Sequence, residues 1–435
     1  MGRKIIREKI DYKWIITIAC FLMIFTCLGF CSSNKGLYLA AITKALGIKR
    51  SLFSINDSCR YVTSAVINLF FGSLVTRFGA RKMIGAGFAA LIISILIYAY
   101  ASSIFVFYIG GCFLGLGLAW TTTTMVGYAI RQWHTRNRGT IMGFVLAANG
   151  LGGAVAAQIV TPIIYNKEDP FGYRSAYRLV AVILLVIGSL VLLLFRDHSK
   201  KNSEENGKTT SRKDAWEGID FQQAVRTPYF YAAVISVFLT GLTIQGVNSV
   251  ASAHMNDVGM EAGYIAAVLS FHSLALTGFK FLTGISYDKL GLRITRLICD
   301  VTGVATTLIL AFVVPTPAGK VLAMIYGVFS SMAMPTTTVM LPLITTELFG
   351  EKSFARMLGI FVSVNTAGYA VGIPLANLIY DIYGTYKPIL YVLAAVMLLV
   401  TIIFQVALSI SYRLAQKESY FDESKMQKLS PNIKA

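Results

Sequence analysis

The sequence predicts an all-α membrane protein: twelve transmembrane helices in two pseudo-symmetric six-helix halves, with both termini cytoplasmic. Three observations predict it. The 435 residues are 55% hydrophobic and only 14% charged, against about 25% charged in soluble domains. Long apolar runs alternate with short polar loops. The second half of the chain repeats the motifs of the first.

The apolar runs centre near Phe25, Val66, Ile93, Leu116, Leu151, Val186, Phe238, Ala275, Leu308, Ser330, Ala370 and Leu399. Each holds about twenty apolar residues, enough for a helix across a hydrocarbon core of about 30 Å. The net charge is +18, and most of it lies at the two termini and in the loops after even-numbered spans. By the positive-inside rule those regions are cytoplasmic. The basic charge is therefore topological, and the partner it implies is the lipid bilayer, with no nucleic acid. The first apolar run is too long for a cleavable signal peptide. The six cysteines show no metal-ligand spacing and read as small core residues, so neither a metal nor a disulfide framework is expected.

The repeat is clearest where the second and eighth spans end in a glycine-flanked basic turn. The first turn carries Gly72, Arg77, Gly79 and Arg81; the second carries Gly284, Asp288, Gly291 and Arg293. The fifth and eleventh spans align Asn149 with Asn365 and Gly152 with Gly368. Thr121–Thr124 in the fourth span echo Thr336–Thr338 in the tenth. The expected organisation is an N-terminal half over 1–195, a cytoplasmic linker over 196–227, a C-terminal half over 228–413 and a cytoplasmic tail over 414–435. A polar, lysine-rich linker suits two bodies that rock against each other.

Lys280 is the most informative single residue. It lies mid-way along an apolar run with no carboxylate within a helical turn. A lysine near the bilayer centre costs roughly 2.5–3.5 kcal/mol on insertion scales. A water-filled cavity or a substrate anion would offset that cost; snorkelling to the interface is the alternative. Lys35 and Arg60 are the other two cations placed inside spans. Arg60 and Asp57 are three residues apart and read first as a local ion pair, with an outer gate or a substrate-carboxylate contact as the alternative. Asp57 also ranks as a proton-coupling candidate beside Lys35 and His272, and His272 reads equally well as a hydrogen-bonded core histidine. Gln245 and Asn248, three apart on the seventh span, are candidate substrate contacts. Asn149 and Asn365 either face a central cavity or bond neighbouring helices. Neighbouring threonines point in different directions, so many of their hydroxyls are expected to bond their own helix. The chain shows no catalytic triad, metal cluster or nucleotide loop, so no enzyme activity and no cofactor are expected.

Twelve spans in two halves, with the duplicated glycine–basic turn, resemble the major facilitator superfamily over essentially the whole chain. Lys280 in Gly-Phe-Lys-Phe-Leu-Thr-Gly, Lys35 in Asn-Lys-Gly-Leu-Tyr, and the segment from Gly368 to Tyr386 are similar to the monocarboxylate transporter and oxalate:formate antiporter branch. The resemblance implies a secondary transporter that holds a small organic anion, a monocarboxylate first of all, at Lys280 and Lys35. It implies alternating access, with the basic turns as a gating latch, and coupling to protons or to a second anion. Thr76 stands where many members carry Asp in the first turn. Leu276 stands where animal monocarboxylate transporters carry a carboxylate, so any coupled proton needs another site. Asn365 stands where oxalate antiporters carry a second cation. A drug/proton exporter is the alternative within transport, and a transport-inactive ligand sensor the alternative outside it. Short loops favour a prokaryotic inner membrane, and a monomer is expected.

Overall fold

Glycine at two equivalent positions sets the chain direction in both halves. The structure, a computed structural model, describes residues 2–33, 35–48, 50–134, 136–164, 169, 171–197, 220–350 and 352–429. Helices α1 (Gly2–Cys27) and α2 (Lys35–Leu46) open the chain, followed by α3 (Arg50–Leu69) and α4 (Phe71–Phe78). Gly79 follows with φ 82° and ψ 156° and starts α5 (Ala80–Tyr100). A side chain disfavours that backbone region, so glycine is needed there. Gly291, its repeat partner, has φ 77° and ψ 172° and breaks the continuous helix α12 (Ala262–Ala311) into two arms. The two apolar runs centred near Ala275 and Leu308 are therefore joined by a one-residue turn.

The rest of the first half is α6 (Ile104–Thr121), α7 (Thr123–Trp133), α8 (Arg138–Ile164) and α9 (Gly172–Leu194). A short helix, α10 (Phe221–Ala224), precedes the second half and is closed by a capping box between Asp220 and Gln223. Then come α11 (Pro228–Asp257), α12, α13 (Pro317–Phe329), α14 (Met340–Phe349), α15 (Phe354–Tyr383) and α16 (Lys387–Leu429). Thr316 accepts from the Gly319 amide and Pro317 stands at the first helical position, which together start α13. Gly384, left-handed at φ 67°, ends α15.

Among the described residues, eight helices are long and apolar enough to cross a membrane, or ten when each of two bent pairs counts once. The bends are 61° between α3 and α4 and 42° between α13, with its 3-10 extension, and α14. The largest buried cluster is built almost entirely from residues between Ile16 and Phe195, and three smaller ones use residues from Ala224 to Leu408. Most of the linker, residues 198–219, lies outside the described residues.

Arg296 is a buried cation beyond the three expected inside spans: it lies one turn inside the second arm of α12 and is 1% exposed. Its Nε donates to Asp300 Oδ2 at 2.7 Å, and Nη2 donates to Thr240 Oγ1 at 2.7 Å. The guanidinium also covers the Phe404 ring at 4.8 Å. This pair clamps α12 to α11 and α16. Removing one partner strands a buried charge, which costs about 3–5 kcal/mol, whereas replacing both with apolar groups can be neutral. Arg296→Ala is expected to lower the thermal unfolding temperature in detergent, and Arg296→Met combined with Asp300→Leu to restore most of it.

Candidate functional site: a cationic central cavity

Glycines on α8 bring it against the helix that carries Lys280. A side chain at Gly143 would stand 2.5 Å from the Lys280 carbonyl, and one at Gly150 would overlap Thr277. The crossing places Lys280 between the halves, 4% exposed. Among the described residues its ammonium has no hydrogen bond or ion pair. It lines a cavity of about 280 Å³ together with Arg60, Asn149, Asn365, Tyr61 and Tyr369.

Both asparagines line this cavity and also bond a neighbouring helix. Asn149 Oδ1 accepts from Ser33 Oγ at 2.8 Å. Asn365 Nδ2 donates to the Val237 carbonyl at 3.3 Å, and Gly241 lets α11 approach at that point. The two readings offered by the sequence therefore coexist. The threonine runs behave similarly. Thr336 and Thr337 donate to carbonyls three residues earlier, and Thr124 donates to Asn68 Oδ1 at 2.9 Å. Thr338 Oγ1 lines the cavity and has no partner among the described residues.

Arg60 is the cavity residue that sequence reasoning undervalued. Its pair with Asp57 is present, with Nε 3.6 Å from Oδ1. The guanidinium is nevertheless buried, donates from Nη1 to Ser32 Oγ at 2.9 Å, and sits over the Tyr61 ring at 4.2 Å. Tyr61 in turn meets Tyr369 edge-on at 5.7 Å, across the two halves. The sequence carries the signal, since Arg60 is one of three cations inside apolar runs.

Three other candidates, Asn248, His272 and Gln245, do not line this cavity. Asn248 and His272 line a separate void of about 20 Å³ with Tyr326 and Ser330; Met334 borders both spaces. His272 Nδ1 lies 3.0 Å from the Gly327 carbonyl and 3.1 Å from Ser330 Oγ. Gln245 is half-buried and lines neither space. Lys35 begins α2, and its side chain lies outside the described residues.

The two basic turns are not equivalent. Asp288 reaches across the halves: Oδ1 accepts from the Gly139 amide at 3.0 Å and Oδ2 from the Thr140 amide at 2.7 Å. These are orphan donors at the start of α8, where a carboxylate is favoured by the helix dipole. Gly284 and Gly139 touch backbone to backbone there. In the first copy, Gly72 lies equally close to the Arg356 backbone, 2.7 Å from an added side chain. Thr76, however, donates only to the Gly72 and Ser73 carbonyls of its own helix. The carboxylate at that turn is Asp197 from the end of α9, which accepts from the Arg81 amide at 3.0 Å within the same half. Arg77 is exposed beside the Phe78 ring, and Arg293 pairs with Gln405 at 3.1 Å. The start of α15 is met instead by α10: Phe221 donates its amide to Ser353 Oγ at 3.0 Å, and Arg356 stacks on the Phe221 ring at 3.6 Å.

The family model of the Major Facilitator Superfamily matches residues 14–344 and 234–431. Monocarboxylate transporter 13 of Bos taurus is 25% identical over 331 residues, covering 75% of this chain and 73% of its own. Multidrug resistance protein 2 of Bacillus subtilis is 23% identical over 331 residues, covering 74% and 78%. An uncharacterized transporter of the same superfamily from Bacillus subtilis, YcxA, is 22% identical; the match covers 59% of this chain and 62% of that protein. Among solved structures, the superfamily transporter FucP in the outward conformation aligns with TM-score 0.69 at 15% identity, over 92% of this chain and 99% of its own. The proton:xylose symporter XylE aligns with TM-score 0.71 at 15% identity, over 90% and 95%. At these identities the structural likeness speaks for the fold alone.

The Asp288 bonds hold one arrangement of the halves together and touch no cavity residue. Asp288→Ala is expected to change the transport rate by about tenfold, the scale of a charge-assisted hydrogen bond, with less than twofold change in ligand affinity. Rate and equilibrium binding measured on one preparation separate these effects; equal losses in both would assign Asp288 to folding.

Proposed function

This chain belongs to the Major Facilitator Superfamily, and from that premise we propose that it moves a small organic anion, a monocarboxylate first of all, by alternating access. One observation carries the reading: Lys280 is buried on a central cavity without a counter-charge among the described residues. A buried cation without a partner is costly, and an anionic ligand would supply the missing charge. Asn149, Asn365 and the Thr338 hydroxyl would offer donors to the remaining oxygens. The carboxylate would thus sit where both halves contribute, which is where a rocking mechanism needs its load.

The topology we propose has twelve crossings. It counts α1 with α2 as one crossing and the two arms of α12 as two. The halves are 1–195 and 228–413, joined by 196–227, with the basic termini and even-span loops in the cytoplasm and the protein in a prokaryotic inner membrane. The named contacts between halves run from the level of Tyr61 and Gly150 to the basic turns. Gly127 against Pro342 and Arg131 over the Phe354 ring at 4.1 Å add to that closed end. With the basic turns in the cytoplasm, as this topology has them, these contacts would shut the cytoplasmic side. Among proton carriers, Lys35 and His272 are the first candidates, and counter-anion exchange is the other coupling mode. The relative described as a multidrug resistance protein gives a drug exporter some support. A cavity holding two buried cations suits an anion better than the cationic amphiphiles many drug pumps expel.

Lys280→Ala is expected to abolish carboxylate uptake in proteoliposomes and weaken binding at least tenfold, with the folded protein retained. Lys280→Arg keeps the charge and should retain measurable uptake. Unchanged affinity in Lys280→Ala would remove the carboxylate from this site. In the same vesicles, substrate-driven pH change in Lys35→Gln and His272→Gln tests coupling. Loss of proton movement in either variant locates the carrier; proton movement at the wild-type ratio in both would exclude them.

A further inference from the structure

Arg60 and Lys280 stand on different halves and line the same cavity. Their charges are not in the same state. Asp57 faces Arg60 Nε at 3.6 Å, so that pair is close to neutral, and the cavity carries about one net positive charge, that of Lys280. Arg60 still has donors to spare. Nη1 donates to Ser32, and Nε, which faces Asp57 at 3.6 Å, is buried with no hydrogen-bond partner among the described residues. A guanidinium fixed from two sides, 5% exposed and stacked against Tyr61, is a pre-oriented donor.

We propose that Arg60 is the specificity-determining second pole of the site, and that the preferred substrate is a monoanion with an uncharged hydrogen-bond acceptor at the end remote from its carboxylate. The inference rests on the placement of the carboxylate at Lys280. One negative charge balances Lys280, and a second would face the Asp57 carboxylate behind Arg60. A hydroxyl or oxo oxygen instead accepts from the guanidinium at no charge cost. The acceptor must be distal, because the two cations belong to opposing halves. Such a ligand ties the halves together from both sides, whereas a plain alkyl acid leaves the Arg60 donor unpaired in a closed cavity, which is costly.

The test uses purified full-length protein and pairs of straight-chain acids of three, four and five carbons, each with and without a terminal hydroxyl. The readout is the ratio of dissociation constants within a pair. Wild type is expected to prefer one hydroxy acid by about tenfold or more, the scale of a hydrogen bond to a charged group, and the chain length at the maximum measures the span between the cations. Arg60→Gln should bring that ratio close to one. Ser32→Ala, which loosens Nη1 without removing the charge, should reduce it by a smaller factor and provides the test if Arg60→Gln fails to fold. A wild type that binds the acids of each pair equally overturns this inference and leaves the Lys280 reading standing. Ratios unaltered in folded Arg60→Gln, or in Ser32→Ala, also overturn it. A wild type that binds no carboxylate removes both.

Discussion

An ammonium buried in the middle of an apolar helix needs a negative partner, and the described residues do not supply one to Lys280. That unmet demand organises the molecule. It requires a cavity at the place where the halves meet, and glycines at 143 and 150 make the α8–α12 crossing tight enough to frame one. It requires polar walls, which come from asparagines at equivalent positions of the two repeats and from threonine runs in which the buried Thr338 hydroxyl has no partner among the described residues. It also explains the contrast with Arg296. That cation is equally deep but fully committed to Asp300 and Thr240, so it serves packing, not binding.

The repeat gives the two halves the same crossings but different fastenings. Gly72 and Gly284 both let a partner helix touch backbone. Only the second turn then adds a carboxylate across the halves, through Asp288. In the first, Thr76 turns inward to its own helix, and the start of α15 is covered by the short helix that follows the linker. One fastening is therefore a charge-assisted cap on the start of α8. The other is an aromatic and hydroxyl contact tied to the segment between the halves.

Much of this was legible in the sequence because it depends on counting. Apolar run length, loop charge and a lysine without a nearby carboxylate do not require knowledge of packing. The glycines of the basic turns were legible for the same reason, since they recur at fixed spacing; of the four, Gly79 and Gly291 adopt positive φ. What escaped depends on rotation and on helix joints. Residues 272 and 280 are eight apart, which turns them about 80° from each other on a helix, so His272 faces a different void. Arg296 is not legible as a span residue because the joint at Gly291 occupies a single residue and the next helix begins at once. Arg60 was read through its neighbour Asp57. A local partner i−3 along the helix conceals the fact that the rest of the guanidinium faces a cavity formed only when distant spans assemble.

The central claim is that the site recognises negative charge. The most direct measurement is equilibrium binding of a short carboxylate and of its primary amide, an uncharged group of nearly the same shape, to the same purified protein. The account predicts saturable binding of the carboxylate and at least tenfold weaker binding of the amide, the scale of losing one charged hydrogen-bonding partner. Equal affinity for the two would contradict it.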